Sequence, residues 1–366
     1  MKPNQLTKIV IQGFKSIKKC DLELKNLNIL IGPNGAGKSN FIQFFQMIRQ
    51  ISQSNLKGYV DDQKSIDSLL YFGQKKTEQL SVELYYGEKE YKFTLEPIHD
   101  RHMMFANESY NKGSKEVSQQ KDRVFELFGS GHIETFIKQN QEFFKAENSI
   151  QAIKSWRVYH FNDTSEDAKI KQPHKINDNI YLLEDGRNLA AFLYILKKKH
   201  EIHYQRIIKT IRLVAPFFGD FFLKPTPLNT DEIELEWTEK GEDAPFNAHY
   251  LSDGTLRFIC LATVLLQPEN FQPETILIDE PELGLHPYAI NVLAGLLRSA
   301  SKTRQIIVST QSVEFLNEFN LEDVIVADRT KDGTYLHRLN VDELKSWLEE
   351  YSLGELWKTN LMGGRP

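Results

Sequence analysis

Gly32-Pro33-Asn34-Gly35-Ala36-Gly37-Lys38-Ser39 fits the spacing G-x-x-x-x-G-K-[ST], and few short patterns restrict a fold so severely. Glycines let successive backbone N–H groups turn inward without Cβ obstruction, which shapes a concavity for an anion. The lysine and the hydroxyl that follow add a cation and a metal ligand at the same point. The flanks agree with this. Leu27 to Ile31 is an apolar run of strand length, and Phe41, Ile42, Phe44, Phe45 and Ile48 then recur at helical spacing. Strand, glycine-rich loop and helix N-terminus together aim amides and a helix dipole at phosphate. The expected fold is therefore α/β, of the P-loop NTPase kind. Residues Gly32 to Asn40 would wrap the phosphates of a nucleotide, with Lys38 on the β- and γ-phosphates and Ser39 on Mg²⁺.

A complement to this loop stands far down the chain, in Thr275-Ile276-Leu277-Ile278-Asp279-Glu280-Pro281-Glu282. An apolar strand ending in two acids supplies what a phosphate loop lacks. Asp279 would hold the Mg²⁺ shell, and Glu280 would polarise the attacking water as general base. Pro281 stops the strand and turns the chain away. Between the two motifs lies Leu251-Ser252-Asp253-Gly254-Thr255-Leu256-Arg257, followed by the apolar helical run Phe258 to Leu266. Ser252, Asp253 and Gly254 before a helix offer a hydroxyl and free amides to an anion, although Ser-Asp-Gly also serves as a plain helix cap. A further strand, Gln305 to Val308, runs into Ser309-Thr310-Gln311-Ser312. Its end would face the γ-phosphate, where Gln311 can donate and accept hydrogen bonds but cannot carry charge.

With these four elements in order, the chain resembles ABC-type ATPases of the RecF, SMC and OLD (overcoming lysogenization defect) group. Ile9 to Ile17 is similar to that group's first strand, Asp279 to Pro287 to its Walker B and D-loop segment, and Leu251 to Thr255 to its signature loop, with Asp253 where many members carry glycine. The similarity extends to stand-alone bacterial predicted ATPases over nearly the whole chain, including Leu183 to Ala190 and the tail from Leu353 to Pro366. Such ATPases are often encoded beside a small nuclease or toxin and linked to phage defence. The resemblance implies a head of two lobes with a helical insertion, ATP with Mg²⁺, and a homodimer or higher oligomer. ATP on Lys38 and Ser39 of one copy would be capped by Ser252 and Gly254 of the other, with His286 and Pro287 near the seam. Transport-type relatives carry a switch histidine where this chain has Gln311, so slow or partner-stimulated hydrolysis is expected. Gln74 is a candidate for the glutamine loop.

The remaining sequence fills in the frame. Val82 to Tyr86 and Tyr91 to Leu95 alternate around Gly87-Glu88-Lys89 as a hairpin. From Asn111 to Ile153, Phe125, Leu127, Phe128, Ile133, Phe136, Ile137, Phe143 and Phe144 recur at helical intervals, without the heptads of a long coiled coil. Asn188 to Val214 reads as one amphipathic helix whose polar face gathers Lys197, Lys198, Lys199, His200, Arg206, Lys209 and Arg212. The expected division is an N-terminal lobe over 1–110, a mainly helical insertion over 111–225 and a C-terminal lobe over 226–366.

No apolar run approaches the length of a membrane span and the start lacks a signal core, so a cytoplasmic protein without membrane contact is expected. Cys20 and Cys260 are far apart and read as reduced core residues. A formal net charge of −5 argues against a chain coated in nucleic acid and leaves room for a local basic groove. The leading expectation is an ATP-driven dimerising switch that gates a double-stranded DNA transaction or a separate nuclease or toxin chain. The alternatives are a transporter's nucleotide-binding subunit, disfavoured by the long insertion between the motifs, and a scaffold that binds ATP without hydrolysis.

Overall fold

The computed structural model describes residues 5–63, 65–98, 102–111, 113, 125–137 and 148–365. They fall into two units, residues 1–156 with 320–366, and residues 157–319. The first unit opens with β1 (Lys8–Phe14), β2 (Ile17–Glu23) and β3 (Leu27–Ile31). The phosphate loop leads into α1 (Lys38–Ser52), and α2 (Leu56–Asp62) follows. Next come β4 (Leu80–Tyr86), β5 (Lys89–Ile98), β6 (His102–Asn111), β7 (Phe125–Gly129) and α3 (Asn148–Ser155).

An antiparallel sheet in the order β2-β1-β4-β5-β6-β7 forms one layer of this unit. In β4, buried residues alternate with half-buried ones, as a sheet with one covered face requires. All five residues of β3 are buried, the pattern of a strand covered on both faces. Helix α1 buries Phe41, Phe44, Phe45 and Ile48. Phe44 lies edge-on to Phe14, and Phe45 packs on Trp156 with ring centres 5.1 Å apart.

Residues 125–129, expected above within a helical stretch, pair with β6 as a strand. Phe125 and Leu127 alternate, and β6 offers them an open edge. Phe143 and Phe144 lie outside the described residues. Glu108 of β6 is fully buried and gathers four donors. These are the Tyr91 hydroxyl at 2.6 Å, His132 Nε2 at 2.9 Å, the Thr135 hydroxyl and the Phe136 amide at 3.0 Å.

The second unit begins with β8 (Arg157–Tyr159), β9 (His174–Lys175), α4 (Leu189–Lys199) and α5 (Glu201–Val214). Short strands β10 (Phe218–Phe221), β11 (Glu232–Ile233), β12 (Glu236–Glu239) and β13 (Pro245–Asn247) lead to α6 (Asp253–Leu266). The unit ends with β14 (Thr275–Asp279), α7 (Pro287–Ala300), β15 (Gln305–Thr310) and α8 (Val313–Leu316). Strands β8 and β15 flank β14 in parallel, so their C-terminal ends emerge on one edge.

The single helix expected from Asn188 to Val214 is two. His200 leaves helical geometry between them, with its ring edge-on to Phe271 at 5.1 Å. Their basic face is partly engaged within the unit. Lys197 pairs with Asp220 at 2.8 Å, and the Arg212 guanidinium donates to the Phe218 and Gly219 carbonyls. Lys198 lies over the Tyr194 ring.

The chain then returns to the first unit with β16 (Val324–Thr330), β17 (Gly333–Arg338), α9 (Val341–Leu344) and α10 (Leu353–Lys358). Strand β16 runs parallel to β3, in the register Val324 to Ile29, and antiparallel to β17. Both cysteines are buried and free, and burial pushes the Cys20 thiol up to about 12.

Truncating Glu108 to Ala leaves a tyrosine, a histidine, a threonine and a backbone amide without their buried acceptor. Chemical denaturation is expected to show a loss of about 3 kcal/mol or more.

Candidate functional site

In the first unit the phosphate loop is shaped by glycines that nothing else can replace. Gly37, which caps α1, sits at φ +108°, and a Cβ there would lie 2.0 Å from the Thr334 hydroxyl. A Cβ on Gly32 would meet the Ala327 carbonyl at 2.3 Å. Three side chains brace the loop from behind. The Thr334 hydroxyl donates to the Ala36 carbonyl at 2.7 Å and bonds Ser16 Oγ at 2.7 Å, while Asn40 Nδ2 donates to Ser16 Oγ at 2.6 Å.

The Lys38 ammonium is buried and folds back onto the Gly32 and Pro33 carbonyls at 2.7 and 3.1 Å. Asn34, Gly35 and Ser39 are exposed on the open side of the loop. No side chain caps α1, so its first amides point at whatever the loop holds. The sequence-predicted residues Gly32 to Asn40 thus lie together as one glycine-shaped loop at the start of α1.

Beside the loop, still within the first unit, lies a cleft of about 670 Å³. Lys15, Ser16, Asn40, Phe72, Lys75 and Arg329 are among its lining. Phe72 is 57% exposed and holds φ +52°, a left-handed conformation that costs a bulky residue energy and clusters at functional sites. Lys15 donates to Gln43 and Gln63 at 2.7 and 2.9 Å, and burial lowers its pKa. Gln74 uses its backbone amide on Asp67 in the turn beyond Phe72.

In the second unit the acids stand at the end of β14, and the end of β15 meets each of them with a neutral donor. The Ser309 hydroxyl donates to Asp279 Oδ1, the Thr310 hydroxyl to Glu282 Oε1, and Gln311 Nε2 to Glu280 Oε1. Glu280 sits at φ +48°, and its amide donates to the Ser309 carbonyl at 2.9 Å. A glutamate in the left-handed region carries backbone strain. Glu282 is 9% exposed. Burial pushes its carboxyl up, the bonds from Thr310 and Gln311 pull it down, and the charge of Glu280 adds to the rise.

The signature segment caps α6 with its own serine. Ser252 Oγ accepts from the Thr255 amide at 3.2 Å, while Ser252 and Asp253 remain exposed. A Cβ on Gly254 would lie 2.3 Å from the Gly284 carbonyl, so the signature and D-loop backbones touch. Arg257 fixes the same junction by donating to the Phe161, Leu283 and Asn162 carbonyls at 3.0, 2.8 and 2.9 Å. His286 caps α7, ahead of Pro287.

Sequence reasoning gave no role to Arg257, Glu282, Ser309 or Thr310. It read Trp156 to Phe161 as a strand, of which the structure keeps Arg157–Tyr159, and gave His160 no role. Tyr159 pairs with Ile278, and the parallel register carries His160 to the level of Asp279. The signal for that segment was position at a strand end, which becomes visible only once strand neighbours are known.

Ser39 in the first unit and Asp279 in the second each carry a hard oxygen of the kind that Mg²⁺ takes. Among the described residues no cluster of three His, Cys, Asp or Glu side chains could hold a metal by itself.

Gly37→Ala is expected to weaken nucleotide binding about tenfold or more in equilibrium titration, through both backbone strain and the Thr334 clash. Glu282 binds a proton more readily folded than unfolded, so its contribution to stability is present at low pH and lost as pH rises. Glu282→Gln should therefore gain stability relative to the parent as pH is raised from acid to neutral, read from paired thermal melts.

The family described as "AAA domain, putative AbiEii toxin, Type IV TA system" matches residues 27–317. Old nuclease of Escherichia phage P2 is 26% identical over 387 residues, which cover 90% of this chain and 60% of that protein. This chain therefore spans less than two thirds of that relative's length. The DNA replication and repair protein RecF of Vibrio campbellii is 36% identical over 72 residues, 19% of this chain and 20% of RecF.

Among solved structures, the SmcHead bound to the C-winged helix domain of ScpA superposes with a TM-score of 0.62 at 15% identity. That match covers 93% of this chain and 99% of the other. An Smc head domain with an extended coiled coil, bound to the C-terminal domain of ScpA derived from Pyrococcus furiosus, gives 0.56 at 15%, over 94% and 98% of the two chains. Among the described residues no helix is long and apolar enough to cross a membrane. With the family model matched over most of its length, the chain belongs to this AAA-domain family, within the RecF, SMC and OLD group of ABC-type ATPases.

Proposed function

We propose that the chain is a slow, partner-controlled ATPase that works as a dimerising switch. The observation that carries the reading is Glu280, a glutamate held in a strained conformation at a strand end with Gln311 bonded to its carboxylate. A protein that only bound nucleotide would have no use for that expense. The phosphates of ATP would lie on the amides of the loop, with Lys38 exchanging its carbonyl partners for the β- and γ-phosphates. The cleft beside Ser16 and Asn40 would take the nucleoside, its base against Phe72. Ser39 and Asp279 would hold Mg²⁺, which supplies charge neutralisation on the transferred phosphate. Glu280 would accept the proton of the attacking water.

The exposed Ser252 and Asp253, with Leu283 and Tyr288 also largely exposed, give the second unit a surface suited to a second copy. Coupling would be to a nuclease or toxin effector, or to double-stranded DNA, in phage defence or DNA repair. Internal pairing of Lys197 and Arg212 reduces the basic face available to DNA and favours the protein partner. A cytoplasmic location goes with this reading.

The test is steady-state ATP hydrolysis by the full chain with and without linear double-stranded DNA, beside Glu280→Gln. Glu280→Gln should lower kcat by roughly a hundredfold or more and accumulate an ATP-bound dimer in size-exclusion chromatography. Unchanged turnover in that variant would remove Glu280 from the role of base. Stimulation by DNA would place the trigger on nucleic acid. A basal rate indifferent to DNA would place it on a protein.

A further inference from the structure

We infer that Glu282 is a positioning residue for the hydrolytic step, seating the Thr310–Gln311 pair so that the Gln311 amide reaches Glu280. The inference rests on Glu280 being the base and adds a residue that acts through it.

Glu282 sits two positions beyond the base, across Pro281, yet it turns inward. It is nine-tenths buried, and its side chain accepts from Thr310 and Gln311. Oε1 accepts from the Thr310 hydroxyl and, at 3.4 Å, from the Gln311 amide. Oε2 is buried with no partner. Burying a carboxyl with one oxygen orphaned is costly, and an aliphatic side chain would fill the same space more cheaply. The arrangement makes sense if the bonds it does make are needed.

Those bonds fix the residue on which Glu280 depends. Thr310 ends β15 and is fully buried, and its hydroxyl also accepts from the Ser312 amide at 2.9 Å. Ser312 in turn caps α8, its Oγ accepting from the Phe315 amide at 3.1 Å. Thr310 is thus held by Glu282 from one side and by the start of α8 from the other. Gln311, the next residue, has its backbone on Glu282 and its side chain on Glu280. Without the Glu282 seat the Thr310 hydroxyl loses its buried acceptor, and the Gln311 backbone is free to rotate its amide away from the base.

The Gln311 amide in turn restrains the strained Glu280 carboxylate. A base must be aimed before water arrives, and a carboxylate free to swing loses much of its advantage. The expected defect therefore lies in turnover, while the affinity for ATP, set by the phosphate loop, stays near that of the parent.

The experiment is a kinetic series on the full chain with ATP, comparing Glu282→Ala, Glu282→Gln, Thr310→Val, the Glu282→Ala/Thr310→Val double variant and Glu280→Gln. Glu282→Ala and Thr310→Val should each lower kcat roughly tenfold with KM within about threefold, and the double variant should be no worse than either, because both remove one interaction. Glu282→Gln keeps an oxygen for Thr310 and should retain kcat within about threefold.

Parental kcat in Glu282→Ala would overturn the inference. So would losses that multiply in the double variant, or a Glu282→Gln variant as slow as Glu282→Ala. If Glu282→Ala does not fold, Thr310→Val and Glu282→Gln decide alone: a slow Thr310→Val with an active Glu282→Gln supports the seat, and any other pairing sinks it. Full turnover in Glu280→Gln would instead strike at the assignment of the base.

Discussion

Carboxylates at a strand end can be held in place without being neutralised only by donors that carry no charge. That constraint organises the edge where β14 and β15 end. A lysine or arginine would fix the carboxylates firmly and in doing so cancel their charge. Ser309, Thr310 and Gln311 provide direction without charge. Each donor faces one acid, and the parallel register of the two strands sets the match. The strain at Glu280 and the burial of Glu282 follow from placing three carboxyls within four residues and giving each a different environment.

The phosphate loop solves the opposite problem with the same economy. It must present partial positive charge while standing rigid before any anion arrives. Thr334 and Ser16 form a small hydroxyl chain behind it, tying Ala36 and Asn40 to β17 and to the turn between β1 and β2. The Lys38 ammonium is kept desolvated on two carbonyls, ready to exchange them for better acceptors. Preorganisation of this kind lowers the reorganisation that accompanies binding.

The elements that carry the two nucleotide-site motifs were legible in the sequence because each motif is local. Gly32 to Ser39, β3, α1 and the Asp279–Glu280 pair each declare themselves within a dozen residues. What stayed hidden depends on contacts across long separations. Thr334 lies 298 residues from the carbonyl it braces, and nothing around it marks it as part of the loop. Nothing in the sequence around Glu282 or Arg257 marks the contacts that each makes. Residues 125–129 misled for another reason: apolar residues over so short a span fit both helical and alternating patterns, and the neighbouring edge of β6 decided between them. The basic stretch after Asn188 was read as one helix because its periodicity continues across His200, where the backbone does not.

Gly254 and Gly284 belong to different motifs thirty residues apart, and each lies where a side chain on the first would strike the backbone of the second. Their mutual closeness makes them a single heritable unit. Drift at one position is tolerable only if the D-loop retreats, and a retreating D-loop would drag on the Leu283 carbonyl that Arg257 grips. Three positions that look independent in the sequence are therefore bound to change together or not at all. Lineages in which the signature has diverged from glycine at this point would carry the compensating change in the loop after Walker B.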